Sequence, residues 1–162
     1  MEILADFATW LAATPVAALV TSRGWIVPAI QVVHIIAIAA VVISVAQINR
    51  NAVRTRAGAP DISLTLRQWL PVAYIAVGIL AVSGALLIAS EPGRALFRTV
   101  FWVKIALIIA ALALTRAHGA AALRARLGWH RVLAAGSVLL WVGVVFAGRW
   151  IAYADGWPGA PA

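Results

Sequence analysis

Four stretches of this chain each run for about twenty residues with scarcely a charge, the length an α-helix needs to cross a ~30 Å hydrocarbon core. They extend roughly from Trp25 to Gln47, Trp69 to Ser90, Thr99 to Ala117 and Arg131 to Tyr153. In lipid every backbone amide must find its partner inside the protein, and a helix satisfies that requirement locally. The fold read from these runs is all-α: a single transmembrane domain over residues 1–162, built as an integral membrane four-helix bundle. Composition agrees, with 64% hydrophobic residues, 11% charged and a mean hydropathy of +0.99. A soluble domain carries about a quarter charged residues.

The flanks of the runs say how the bundle sits. Trp25, Trp69, Trp102, Trp129, Trp150 and Tyr153 lie near span ends, where aromatic rings suit the headgroup layer. Trp141 is deep in the last run and is expected to pack inside the bundle. Arg50, Arg54, Arg56 and Arg67 occupy one connection, and Arg116, Arg124, Arg126 and Arg131 another on the same side. The opposite side has Arg23, Arg94, Arg98 and Arg149 together with Glu2, Asp6, Glu91 and Asp155. The positive-inside rule then predicts both termini and the "SEPGRALFR" turn outside, with the two arginine-rich connections in the cytoplasm. The net charge of +8 is accounted for by topology. Nucleic acid is not an expected partner, because neither basic connection interleaves arginine with aromatic stacking residues.

Residues 1–22, "MEILADFATWLAATPVAALVTS", begin with Glu2 and Asp6 rather than the positive region of a secretory signal, and Pro15 interrupts the apolar run. An additional N-terminal interfacial helix lying in the outer headgroup layer is expected, with a fifth span as the alternative.

Cysteine is absent, which excludes disulfides, thiolate metal sites and covalent haem attachment. His34 stands out instead, about 14 Å below the outer interface counted from Trp25 at the helical rise. Ionisable groups at that depth face the bundle interior or a cavity and mark functional sites by default. Gln31 is one turn outward on the same helix. Lys104 opens the third span, Arg149 is about 6 Å inside the end of the fourth, and Ser83 and Gly84 lie some 10 Å below the outer end of the second. All four helices thus bring something polar or small to the outer half.

Haem b fits that convergence. His34 is the expected axial metal ligand, Gly84 and Gly143 give the macrocycle clearance, and Lys104 and Arg149 pair with its propionates. A quinone bonded through His34 and Gln31 is the competing occupant. No second mid-depth histidine exists, since His118 and His130 fall on the cytoplasmic side and Met1 is the only methionine. The iron is then five-coordinate, ligated by Lys104 after rearrangement, or shared across a homodimer. Plainer roles stand beside these: a hydrogen bond from His34 to a neighbouring helix, snorkelling of Lys104 and Arg149, helix contacts for Gly78, Gly84, Gly136, Gly143 and Gly148, and solvated turn acids at Asp61 and Glu91.

The segments "WIVPAIQVVHIIAIA", "LRQWLPVAYIAVGILAVSGALL" and "FWVKIALIIAALALTRAH" resemble an uncharacterised family of small bacterial inner-membrane proteins over about residues 7 to 118. The early histidine, the "SGALL" end of one span and the "FWVK" start of the next also resemble copper resistance protein D and the HemJ-type protoporphyrinogen oxidases. That resemblance implies a haem-containing or copper-related four-helix fold, in which an early transmembrane His and a later Lys matter. His34 and Lys104 stand at those positions, while "VVISVAQINRNAVRTR" replaces the further histidine of the HemJ-type enzymes.

The expected function is a haem b-binding redox or electron-transfer module, an oxidoreductase if it is an enzyme. Its partners are the lipid bilayer and a quinol or redox protein, as no nucleotide-binding segment is visible. Copper or other ion handling through His34 and Gln31, and a non-catalytic subunit that anchors a partner, are the alternatives.

Overall fold

A computed structural model describes residues 2–54, 62–123 and 130–153, apart from the side chains of 52–54, 62–63, 116, 118–123, 130–131, 149 and 151–153. Every regular element among them is helical: α1 Glu2–Ala12, α2 Pro15–Thr21, α3 Ile26–Arg54, α4 Ile62–Ser90, α5 Pro92–Leu96, α6 Thr99–Leu123 and α7 His130–Tyr153.

The N-terminal segment is two helices rather than the single one expected, bent by 64° where they meet. One threonine makes the break. The Thr14 hydroxyl donates to the Leu11 carbonyl at 2.7 Å, closing α1, and accepts from the Ala17 amide at 3.3 Å, opening α2. Pro15 follows in the first helical position, where its missing N–H costs nothing. Pro28, in the first turn of α3, is tolerated for the same reason. The turn after α4 also differs from expectation. Pro92 starts the short helix α5 instead of ending all structure, and the Trp102 indole donates to the Leu96 carbonyl at 2.9 Å, holding α5 over the start of α6.

Both α3 and α4 continue about two turns beyond the apolar runs that predict them, into what reads as a polar connection. An apolar run records the length of helix in contact with lipid, not the length of helix. The extensions are tied together by the Asn51 amide, which donates to the Thr65 hydroxyl at 2.8 Å.

Contacts group the long helices into two antiparallel hairpins, α3 with α4 and α6 with α7, joined mainly where α3 lies on α7; α4 and α6 touch little. Val41, Val45, Ala76, Ala111, Trp141 and Val144 form the core, so Trp141 is buried as its depth predicts. Helix α2 leans on α4, and α1 on α5.

Beside Val41, Val45, Ile48 and Trp141 the interior holds many small residues, while many large apolar side chains face outward. Ala37, Ala76, Ala111, Ala134, Ser44 and Ser137 are buried, while Ile75, Leu139 and Phe146 are each about two-thirds or more exposed. Small residues inside let backbones approach closely, and large apolar ones outside need an apolar solvent. Helices α3, over Ile26–Asn51, and α4, over Leu64–Ser90, are long and apolar enough to cross a membrane, and the bent α1–α2 pair makes a third candidate if taken as one span. Helices α6 and α7 have shorter apolar stretches, Thr99–Thr115 and Val132–Gly148. Each is about 25 Å long, the lower edge of a spanning length.

This distribution makes a paired prediction. Ala111→Leu, at a position with no exposed surface, is expected to destabilise by about 1–3 kcal/mol through overpacking. Leu139→Ala, at 70% exposure, is expected to change stability by less than about 0.5 kcal/mol. Unfolding in detergent micelles, followed by near-ultraviolet circular dichroism, measures both.

Candidate functional site

His34 stands on α3 facing α4, half-buried, with its Nδ1 at 2.8 Å from the Ser83 hydroxyl. Ser83 is buried and sits 2.6 Å from the Ile79 carbonyl one turn back on its own helix. A hydroxyl has one proton to give. The shorter contact, to a carbonyl that can only accept, takes that proton. Ser83 therefore accepts from His34, the imidazole carries its proton on Nδ1, and the lone pair lies on Nε2. Nε2 has no hydrogen-bond partner among the described residues. A hydrogen bond at one ring nitrogen setting the tautomer and aim of the other is the arrangement by which proteins orient a metal-binding histidine.

The ring rests against Gly84, where a Cβ would stand 3.5 Å from the His34 Cε1. Lys104, half-buried on α6, lies along Gly148 of α7: a Cβ there would meet its Nζ at 3.3 Å and its Cε at 3.5 Å. No carboxylate pairs with Lys104 among the described residues.

Helix register gathers these groups into one layer. The Asn49 side chain bonds to the Ala134 carbonyl where α3 crosses α7. Equal numbers of residues along the two helices toward α5 lead from there to His34 and to Arg149, the neighbour of Gly148. The α3–α4 pairing of Asn51 with Thr65 and of His34 with Ser83 keeps the same antiparallel step. The layer holds an oriented imidazole with an open lone pair and an ammonium without an internal counter-charge. Such a pair can give one axial bond to a metal centre and one ionic contact to an anionic group.

The other sequence candidates fare differently. Gln31 is exposed, makes no hydrogen bond among the described residues and is not brought to the imidazole. Gly143 packs on Leu107, at 3.6 Å from where its Cβ would be. The side chains of Arg149, His118 and His130, and the whole of Asp61, lie outside the described residues. Among the described residues no group of three or more His, Cys, Asp or Glu is assembled that could hold a metal ion.

Beside the layer, an open groove of about 630 Å³ runs between α3 and α4, walled by Trp25, Ala29, Val33, Gly78, Val82 and Ser83. Its only polar lining side chain is Ser83, the partner of His34. The sequence offers Ser83 as a small polar residue at the right depth; its role as the partner of His34 needed the α3–α4 register. The orienting bond predicts that selective ¹⁵N labelling of histidine will show His34 protonated on Nδ1. Ser83→Ala is expected to lose that preference and Ser83→Thr to retain it. An unchanged nitrogen spectrum in Ser83→Ala would remove Ser83 from this role.

Compared with known proteins, the chain matches no family model, no curated protein and no solved structure.

Proposed function

We propose that the protein is a four-helix module of the bacterial inner membrane that holds haem b on His34 and passes electrons through it. The carrying observation is the oriented Nε2 lone pair of His34, with no group of three or more metal-ligating side chains assembled among the described residues. A lone imidazole is too few ligands to retain a bare copper or zinc ion, which takes several protein donors. Haem brings four nitrogen ligands of its own and asks the protein for one or two axial bonds. The donor set therefore fits haem better than ion handling.

In this reading His34 gives the axial bond, and Ser83 holds the ring's orientation and raises its basicity. Lys104 takes a propionate, and Arg149, level with it on α7, is the candidate for the second. Helices α4 and α6 touch little, and these are the helices that carry Ser83–Gly84 and Lys104. Bound there, haem would supply a one-electron couple whose potential depends on axial ligation and burial. The α3–α4 groove, apolar except at Ser83, favours a quinol with a prenyl chain as electron donor over a water-soluble protein. The arginine distribution supports periplasmic termini and an outer-half site, with α1 at the headgroup layer.

Absorption spectra of the protein purified from haem-replete cells test the proposal. A Soret band with reduced b-type features is expected in the wild type, absent in His34→Ala and weakened in Lys104→Ala. In Ser83→Ala the band should persist with a shifted reduction potential. A colourless wild type would reject the cytochrome reading and favour a partner-anchoring subunit.

A further inference from the structure

The end of the bundle opposite α5 contains a second polar cluster, unrelated to His34. Asn49 is 4% exposed, its Nδ2 donates to the Ala134 carbonyl of α7 at 3.3 Å, and its Oδ1 is buried with no hydrogen-bond partner. Exchanging the amide oxygen and nitrogen does not relieve this, because Oδ1 would then face a carbonyl, acceptor against acceptor. A buried acceptor left unmatched costs about 1–3 kcal/mol.

What faces Asn49 narrows the choice of partner. A helical carbonyl points toward the C-terminal end of its helix, so the Ala134 oxygen lies near the level of Ser137, one turn on. Ser137 is fully buried and 3.1 Å from the Thr115 hydroxyl. Thr115 gives its proton to the Ala111 carbonyl at 2.7 Å and receives the Trp141 indole N–H at 3.4 Å. Ser137 must therefore donate to Thr115, leaving its own lone pairs available. The cluster's hydroxyl and indole protons are committed; besides the second Asn49 amide proton, its unused capacity, at Asn49 Oδ1 and Ser137 Oγ, is for acceptance.

We infer that this crossing of α3, α6 and α7 binds an internal water that donates to Asn49 Oδ1 and to Ser137. An acceptor-rich pocket calls for a donor or a cation. A monovalent cation would add charge to helices whose apolar stretches contain Arg50, beside Asn49, and Lys104 but no Asp or Glu, so the neutral donor is favoured. Polar, buried and lined by several hydrogen-bonding groups, the site has the character that retains water in protein interiors. Val41, Val45, Ala111, Trp141 and Val144 lie between it and the His34 layer. The water therefore belongs to a place separate from the His34 layer.

Asparagine occurs only at positions 49 and 51, so selective ¹⁵N labelling of the full chain in deuterated-lipid nanodiscs leaves two side-chain amides to follow. Cross-relaxation from water to the Asn49 Nδ2 protons is expected, with the sign of a bound molecule rather than of proton exchange. The near-isosteric Asn49→Leu is expected to lower the thermal unfolding midpoint by about 2–4 °C. Absence of the water contact at Asn49, with an unchanged or raised midpoint in Asn49→Leu, would show a dry acceptor and overturn the inference. A wild-type midpoint raised by sodium or potassium but not by choline at equal ionic strength would overturn it in favour of a cation. The water contact is read on the wild type, so it decides the matter even if Asn49→Leu does not fold.

Discussion

Close approach of backbones at small residues is the constraint on which this structure depends. Where the surroundings are as apolar as the side chains, burying leucine gains little, and helices are held by packing and interhelical hydrogen bonds. The chain is organised accordingly. Ala37, Ala76, Ala111 and Ala134 occupy buried positions that bulkier residues hold in a soluble protein, and Ser44 and Ser137 are fully enclosed among them. Interhelical bonds sit at both ends of the α3–α4 hairpin, His34 to Ser83 and Asn51 to Thr65, with Asn49 tying α3 to α7. The same closeness that holds the helices also aims the imidazole.

The helical class and the positions of the long helices are legible in the chain, because lipid crossing imposes a run of apolar residues that no other pressure imitates. Helix ends are not. Asn51 and Thr65 prolong α3 and α4 through a contact between residues that look like loop residues in isolation. The break at Thr14 is written locally, as an N-cap before a proline, yet that pattern alone does not say whether the two pieces lie along the surface or form a bent crossing. Pro92 shows the reverse ambiguity: a turn signal is also a helix start.

For the candidate site, sequence depth singled out His34 and Lys104, and helix register brings them to one layer. Gln31 illustrates the limit of counting by turns. Three residues from His34, it shares a broad side of α3 but falls outside the α3–α4 contact, which is too narrow for both. Asn49 is the converse case: an ordinary residue near a span end, whose buried amide is recognisable only once α7 lies across it. Tautomer, partner choice and orphaned acceptors are properties of pairs of helices, and a single chain read linearly does not contain the pairing.

The elbow at Thr14 bears on how the protein is made. Helix α1 is synthesised before the surface it rests on, α5, which follows only after α3 and α4 are complete. Until then α2 and α4 offer it only a slighter surface than α5 does. Ile3, Phe7 and Trp10 lie on the exposed side of α1, a face suited to an apolar surface. The packing of α1 on α5 therefore forms only once the α3–α4 hairpin has been made, so this contact joins a finished hairpin rather than starting it.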